Sequence, residues 1–238
     1  MNITILFDNY LYKEGLETGW GFSCLVTGLE KVILFDTGAD GSILLSNMEK
    51  LKIEPKTIDT IFLSHQHFDH TGGLFNLLDK NFNYVIYLPR SFTESLKQKI
   101  EKCGAKSIDV SSSIEICKNA WTTGELGTWI KEQSLVLKTP KGLVVITGCA
   151  HPGIVNILKE VNKVFKEEIY LAMGGFHLAG WSDSEIKSII RDFKVLGVRK
   201  VAPSHCSGDR TIELFEQEYG KNFIRIGVGS IIEVSNGK

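Results

Sequence analysis

The run Ser64-His65-Gln66-His67-Phe68-Asp69-His70-Thr71-Gly72-Gly73 places His65, His67, Asp69 and His70, all able to donate to a metal ion, within six positions. Imidazole and carboxylate donors suit zinc, with iron and manganese also accommodated. His65 and His67, two apart on extended or loosely turned backbone, can aim at one ion. Asp69 and His70 then turn towards a neighbouring position, so one short loop could serve two ions a few ångströms apart. Gly72 and Gly73 let the chain bend sharply into a following helix. A lone histidine is more often a satisfied core or surface group; a cluster this dense reads as a metal site.

Three further histidines each follow a strand-like run. His151 lies in Thr147-Gly148-Cys149-Ala150-His151-Pro152-Gly153, His177 in Gly174-Gly175-Phe176-His177-Leu178, and His205 in Pro203-Ser204-His205-Cys206-Ser207-Gly208. Strand ends that converge on one edge of a sheet are where α/β proteins build their sites, so all three are expected beside the cluster.

The elements that must position these residues read as follows. Ile3–Phe7, Phe22–Thr27 and Lys31–Phe35 are short β-rich runs, the last two joined by a turn at Gly28-Leu29-Glu30. Ser42–Leu51 has helical spacing, with Ile43, Leu44, Met48 and Leu51 on one face. Thr60–Ser64 is a strand running into the histidine cluster, followed by a helix at Leu74–Leu78, a strand at Tyr84–Leu88 and a helix at Phe92–Lys102. From Ile108 to Thr147 the pattern is mainly β, and Leu143–Thr147 reads as a strand buried on both faces. A helix is expected from Pro152, with Pro152 in its first turn and Ile154, Ile157, Leu158 and Val161 facing the core. Ile169–Met173 and Lys200–Ala202 then alternate as strands with helices at Ser184–Leu196 and Thr211–Glu218, and a glycine-rich strand, Ile226–Val234, closes the chain. Two packed sheets covered by helices follow from this order, in one domain spanning residues 1–238.

H-x-H-x-D-H after a strand, preceded by the turn Phe35-Asp36-Thr37-Gly38, resembles the metallo-β-lactamase superfamily over essentially the whole chain. The resemblance implies a four-layer αββα sandwich with metals at one edge, His65 and His67 on the first ion, Asp69 and His70 on the second, and Asp36 supporting the histidine loop from behind. The ordered motifs H-x-H-x-D-H-T-G-G-L, T-G-C-x-H-x-G-I-V-N, G-G-F-H-L and H-C-x-G are similar to the branch containing the methanopterin-pathway dihydropterin synthase. That enzyme joins a dihydropterin pyrophosphate to a ribosylated aminobenzoate phosphate and releases pyrophosphate.

The chain departs from the wider superfamily after Gly148, where Cys149 stands in place of a metal-bridging aspartate. Glu125, in Thr122-Thr123-Gly124-Glu125, stands where many members carry their third histidine. Two ligand sets follow. In one, His151 completes the first site and no carboxylate bridges; in the other, Glu125 or Cys149 is a ligand and His151 stands behind it. The first is preferred because imidazole is the commoner neutral zinc ligand. His205 completes the second site. Asp69 would orient the nucleophile, and His177, left over after ligand assignment, becomes the candidate for substrate contact or proton transfer.

One or two ions, zinc before iron or manganese, would activate water against an ester, lactone, amide or phosphate-type bond. A transferase of the dihydropterin synthase type is the alternative, and a non-catalytic metal-binding or sensor protein the second. Trp20, Phe68, Phe176 and Trp181 are candidate substrate walls for a small, anionic molecule. The 27 basic and 28 acidic residues are well mixed and leave a net charge of −1, which gives no support for nucleic acid as the partner. Five scattered cysteines without a C-x-x-C pair read as reduced thiols of a cytoplasmic protein. No apolar run approaches the roughly 20 residues that span a bilayer, and a signal peptide is not expected. Oligomeric state is not legible.

Overall fold

The computed structural model describes residues 1–79 and 83–234. β1 (Asn2–Phe7), β2 (Ser23–Thr27) and β3 (Ile33–Phe35) pair antiparallel in succession. α1 (Gly41–Lys50) opens on Asp40, whose carboxylate accepts the Ser42 and Ile43 N–H groups. Its buried face is Gly41, Leu44, Asn47 and Met48; Leu51 is instead its C-terminal cap and half-buried. β4 (Thr60–Phe62) leads into the one-turn helix α2 (Phe68–Thr71), and α3 (Leu74–Leu78) follows. β5 (Val85–Pro89), α4 (Glu94–Lys102) and β6 (Lys106–Val110) complete the first half.

β7 (Ile114–Cys117), β8 (Ala120–Thr122), β9 (Leu135–Thr139) and β10 (Gly142–Thr147) form an antiparallel series. α5 (Ile154–Phe165), β11 (Ile169–Gly175), α6 (Asp183–Val195), β12 (Lys200–Ser204), α7 (Asp209–Tyr219) and β13 (Ile231–Glu233) follow. Two expectations are corrected. Pro152 lies in the turn before α5, because Gly153 at φ +89° caps that helix in a conformation that starts it two residues later. The expected strand Ile226–Val234 shrinks to β13, because Ser230 hydrogen-bonds back to Gly227 and turns the chain just before it.

Among the described residues one sheet runs β13-β1-β2-β3-β4-β5-β6 and the other β12-β11-β10-β9-β8-β7. The period-2 alternation of β10 shows why they stack. Val144 and Ile146 pack into the core between the sheets, with Phe35, Phe62 and Met173. Leu143 and Val145 point the other way, against Ile157, Leu158 and Val161 of α5 and against Ile186 and Ile190 of α6. On the far side Leu34 and Ile61 pack on Leu44 and Met48 of α1 and Leu77 of α3. The layers are therefore αββα, and each such side chain taken out of water contributes roughly 1.5–3 kcal/mol. No helix among the described residues is long and apolar enough to cross a membrane.

Candidate metal centre

The C-terminal ends of β1, β3, β4, β10, β11 and β12 deliver Asp8, Asp36, His65, Cys149, His177 and His205 respectively. Three groups result among the described residues. The ligand atoms of His65, Cys149 and His151 lie within 4.8 Å of one another, and so do those of Asp69, His70, Cys149 and His205, and those of Cys149, His177 and Cys206. His67 joins the first through its Nδ1, 3.2 Å from His151 Nε2. His65, His67 and His151 are thus brought together at one edge, and Asp69, His70 and His205 beside them.

Hydrogen bonds behind the rings set the direction of each imidazole. Asp36 Oδ1 accepts the Ser64 N–H at 2.7 Å, and its Oδ2 accepts the Ser64 hydroxyl at 2.7 Å. With its only proton spent on Asp36, Ser64 Oγ must accept from His65 Nδ1 at 2.9 Å. His65 Nε2 therefore carries the lone pair, and it is buried with no hydrogen-bond partner among the described residues. Asp36 Oδ2 also takes His70 Nδ1 at 2.7 Å, which leaves His70 Nε2 facing Cys149 Sγ at 3.2 Å and Asp69 Oδ2 at 3.6 Å. Asn9 Oδ1 accepts from His205 Nδ1 at 3.0 Å, leaving His205 Nε2 at 3.3 Å from Asp69 Oδ2 and 3.5 Å from Cys149 Sγ.

The orphaned His65 nitrogen is the test of fit. A buried acceptor without a donor is costly, and a cation coordinated there removes the cost. Electrostatics agree. Burial first, then the neighbouring imidazoles, hold His65 well below the usual histidine range, and burial with His177 and His67 brings His151 down to about 3. Both rings are neutral and ready to donate. Partial burial would raise the Asp69 carboxyl, but the His205 hydrogen bond and His70 hold it well below its ordinary value. Burial alone would lower His70; Asp36 reverses the sign and raises it. The Cys206 hydrogen bond and burial push the Cys149 thiol up.

The backbone is strained where the site is. Asp36, Ala150, His177 and His205 all have φ between 50° and 63°, a left-handed region that costs non-glycine residues about 1–3 kcal/mol. Gly148 is required by contact: a Cβ there would sit 2.2 Å from Ser64 Oγ.

His177 lies 4.4 Å from His151, ring to ring, and is exposed; its hydrogen bond to Cys206 raises its pKa. Glu125 is not brought to the clusters; its Oε1 accepts the Ser91 N–H at 2.6 Å. Of the expected walls, Trp20 stands 5.0 Å from the His205 ring, and Phe68 and Trp181 are exposed. Phe176 is corrected to a core residue: it is 1% exposed and packs on Phe193 and Phe215, because it occupies the inward position after β11. Two cavities flank His151. One of about 630 Å³ is walled by Trp129 and Ile130, and one of about 350 Å³ by His177, Lys159 and Trp181.

Sequence reasoning missed Glu132. It is buried, and its carboxylate accepts four backbone N–H groups: Gly148, Cys149 and Ala150 on Oε1 and His151 on Oε2, at 2.9–3.1 Å. Burial pushes its pKa up to about 7 against these bonds. Asn9, behind His205, was also missed; its partner is 196 positions away and no local pattern marks it.

The metallo-beta-lactamase superfamily profile matches residues 21–158, more than half of the chain. The chain belongs to the metallo-β-lactamase superfamily. This superfamily member is 33% identical, over 98% of its length and 96% of the relative's, to the 7,8-dihydropterin-6-methyl-4-(β-D-ribofuranosyl)-aminobenzene-5'-phosphate synthase of Methanocaldococcus jannaschii, which bears out the branch resemblance. It superposes on Tm1679, a metal-dependent hydrolase of the β-lactamase superfamily, with a TM-score of 0.84 and 32% identity, covering 99% of this chain and 100% of that one. YhfI of Bacillus subtilis, 14% identical with a TM-score of 0.71 over 98% of this chain and 99% of that one, shares the fold.

Proposed function

We propose that the chain is a metal-dependent hydrolase acting on a small anionic molecule at an ester, lactone, amide or phosphate-type bond. His65, His67 and His151 would hold one ion, and Asp69, His70 and His205 a second. The observation that carries this reading is the buried, partnerless Nε2 of His65 among neutral imidazoles. Zinc suits the donor set best, and iron or manganese can replace it. The ions, when bound, supply Lewis acidity and a low-pKa water.

The chain's own residues do the rest. Asp36 and Asn9 hold the His70 and His205 rings with Nε2 forward. Asp69, ionised, orients the attacking group. His177 moves a proton through the ring nitrogen not engaged by Cys206, beside Lys159, whose charge suits an anionic substrate. Similarity to the Methanocaldococcus synthase supports a second reading, in which the same centre grips a pyrophosphate leaving group during condensation.

A single assay separates the readings. Metal-loaded protein is offered a panel of esters, lactones and phosphodiesters in isotopically labelled water, and separately a dihydropterin pyrophosphate with ribosylated aminobenzoate phosphate. Label appearing in a panel product supports hydrolysis. Pyrophosphate release that requires the acceptor selects the synthase reading. No turnover of either set overturns both and leaves a metal-binding or sensor protein.

A further inference from the structure

Cys149 occupies a place that the six-ligand scheme leaves unexplained. Its sulfur belongs to both ligand clusters, the one with His65 and His151 and the one with Asp69, His70 and His205. It stands 3.2 Å from His70 Nε2 and 3.5 Å from His205 Nε2. Among the described residues no other side chain is shared between the two groups. The position is built rather than incidental. Cys149 is 3% exposed, its N–H is held at 3.0 Å by the Glu132 carboxylate, and Gly148 before it passes so close to Ser64 that no Cβ would fit. The partnerless His65 Nε2, in the same cluster, is the independent sign that a cation belongs there.

We propose that Cys149 Sγ is a shared ligand of the two metal positions, a thiolate bridge between them. The inference rests on the metal centre proposed above. Coordination replaces the S–H bond with metal–sulfur bonds, and the proton leaves to solvent, as a coordinating thiol is deprotonated outright. Thiolate is a softer donor than carboxylate, so the bridge biases the centre towards zinc and cobalt(II) and away from manganese or magnesium. Cys206, whose sulfur lies 3.6 Å from the Cys149 carbonyl oxygen, forms a third group with Cys149 and His177; it is in neither of the two groups that Cys149 joins and is not part of the bridge.

Cobalt(II) titration of chelator-stripped full-length protein tests this by near-ultraviolet absorption. The expected result is a thiolate-to-cobalt charge-transfer band that grows through two equivalents, is lost in Cys149→Ser, and survives in Cys206→Ser. Cys149→Asp should bind two equivalents without the band, which guards against a variant that simply misfolds. Two equivalents bound by wild-type protein with no band would overturn the thiolate bridge while leaving the metal centre intact. A band that saturates at one equivalent would make Cys149 a terminal ligand. A band lost in Cys206→Ser but kept in Cys149→Ser would move the ligand to Cys206. Failure of the wild-type protein to bind cobalt at all would overturn the centre and the bridge together.

Discussion

His177 and His151 stand ring against ring, yet they divide the work. His151 Nε2 faces His67, whereas His177 is tied to Cys206 on a left-handed backbone and opens to solvent. Counting the shared Cys149, each ion already has four protein donors, so water or substrate needs a fifth position, and a further imidazole would tend to fill it. His177→Ala should therefore keep its metal and lower turnover by ~10²–10⁴-fold, read by elemental analysis beside initial rates. Loss of metal would make His177 a ligand; full activity would make it structural. His151→Ala should weaken metal retention, and Glu125→Gln, whose carboxylate serves Ser91 instead, should leave it unchanged. The opposite pair of results would exchange their roles. His65, His67 and His70 were legible in sequence because their spacing is local, and His151, His177 and His205 because each follows a strand-like run. The double membership of Cys149 was not, since it depends on how β10 and β12 set the chain against β4 across two sheets.

At the scale of elements, the loop from β10 to α5 depends on a group outside itself. Glu132, sixteen to nineteen positions upstream, gathers its successive N–H groups and so sets the bearing of Cys149 and His151. Glu132→Gln tests this. Its amide oxygen can replace Oε1, but its NH₂ would then face the His151 N–H, donor against donor. The expected cost is about 1–3 kcal/mol in denaturant unfolding, with weaker metal retention. Unchanged stability and metal content would show that the loop holds itself. Helix α5 was legible from its apolar period, but its start was not. Proline is pre-organised for a first helical turn, and that preference lost to the left-handed Gly153, which ends the loop where the metal edge needs it.

For the whole molecule, the strand–helix alternation and the motifs made the αββα order legible in the sequence. Period-2 strands such as β10 place one face between the sheets and one beneath helices. The substrate walls were less legible. Phe176 and Trp181 look alike as aromatics near His177, but only burial distinguishes a core ring from an exposed one. Ile146→Ala, at the inter-sheet core one residue before β10 ends, should cost about 2–5 kcal/mol of stability. It should leave the second sheet's outer helices packed, seen as retained far-ultraviolet circular dichroism. The most direct test of the account is the number of metal ions bound. Chelator-stripped protein reconstituted with zinc and freed of excess should retain two equivalents by elemental analysis. Retention of one would remove the second position, and retention of none would contradict the metal centre itself.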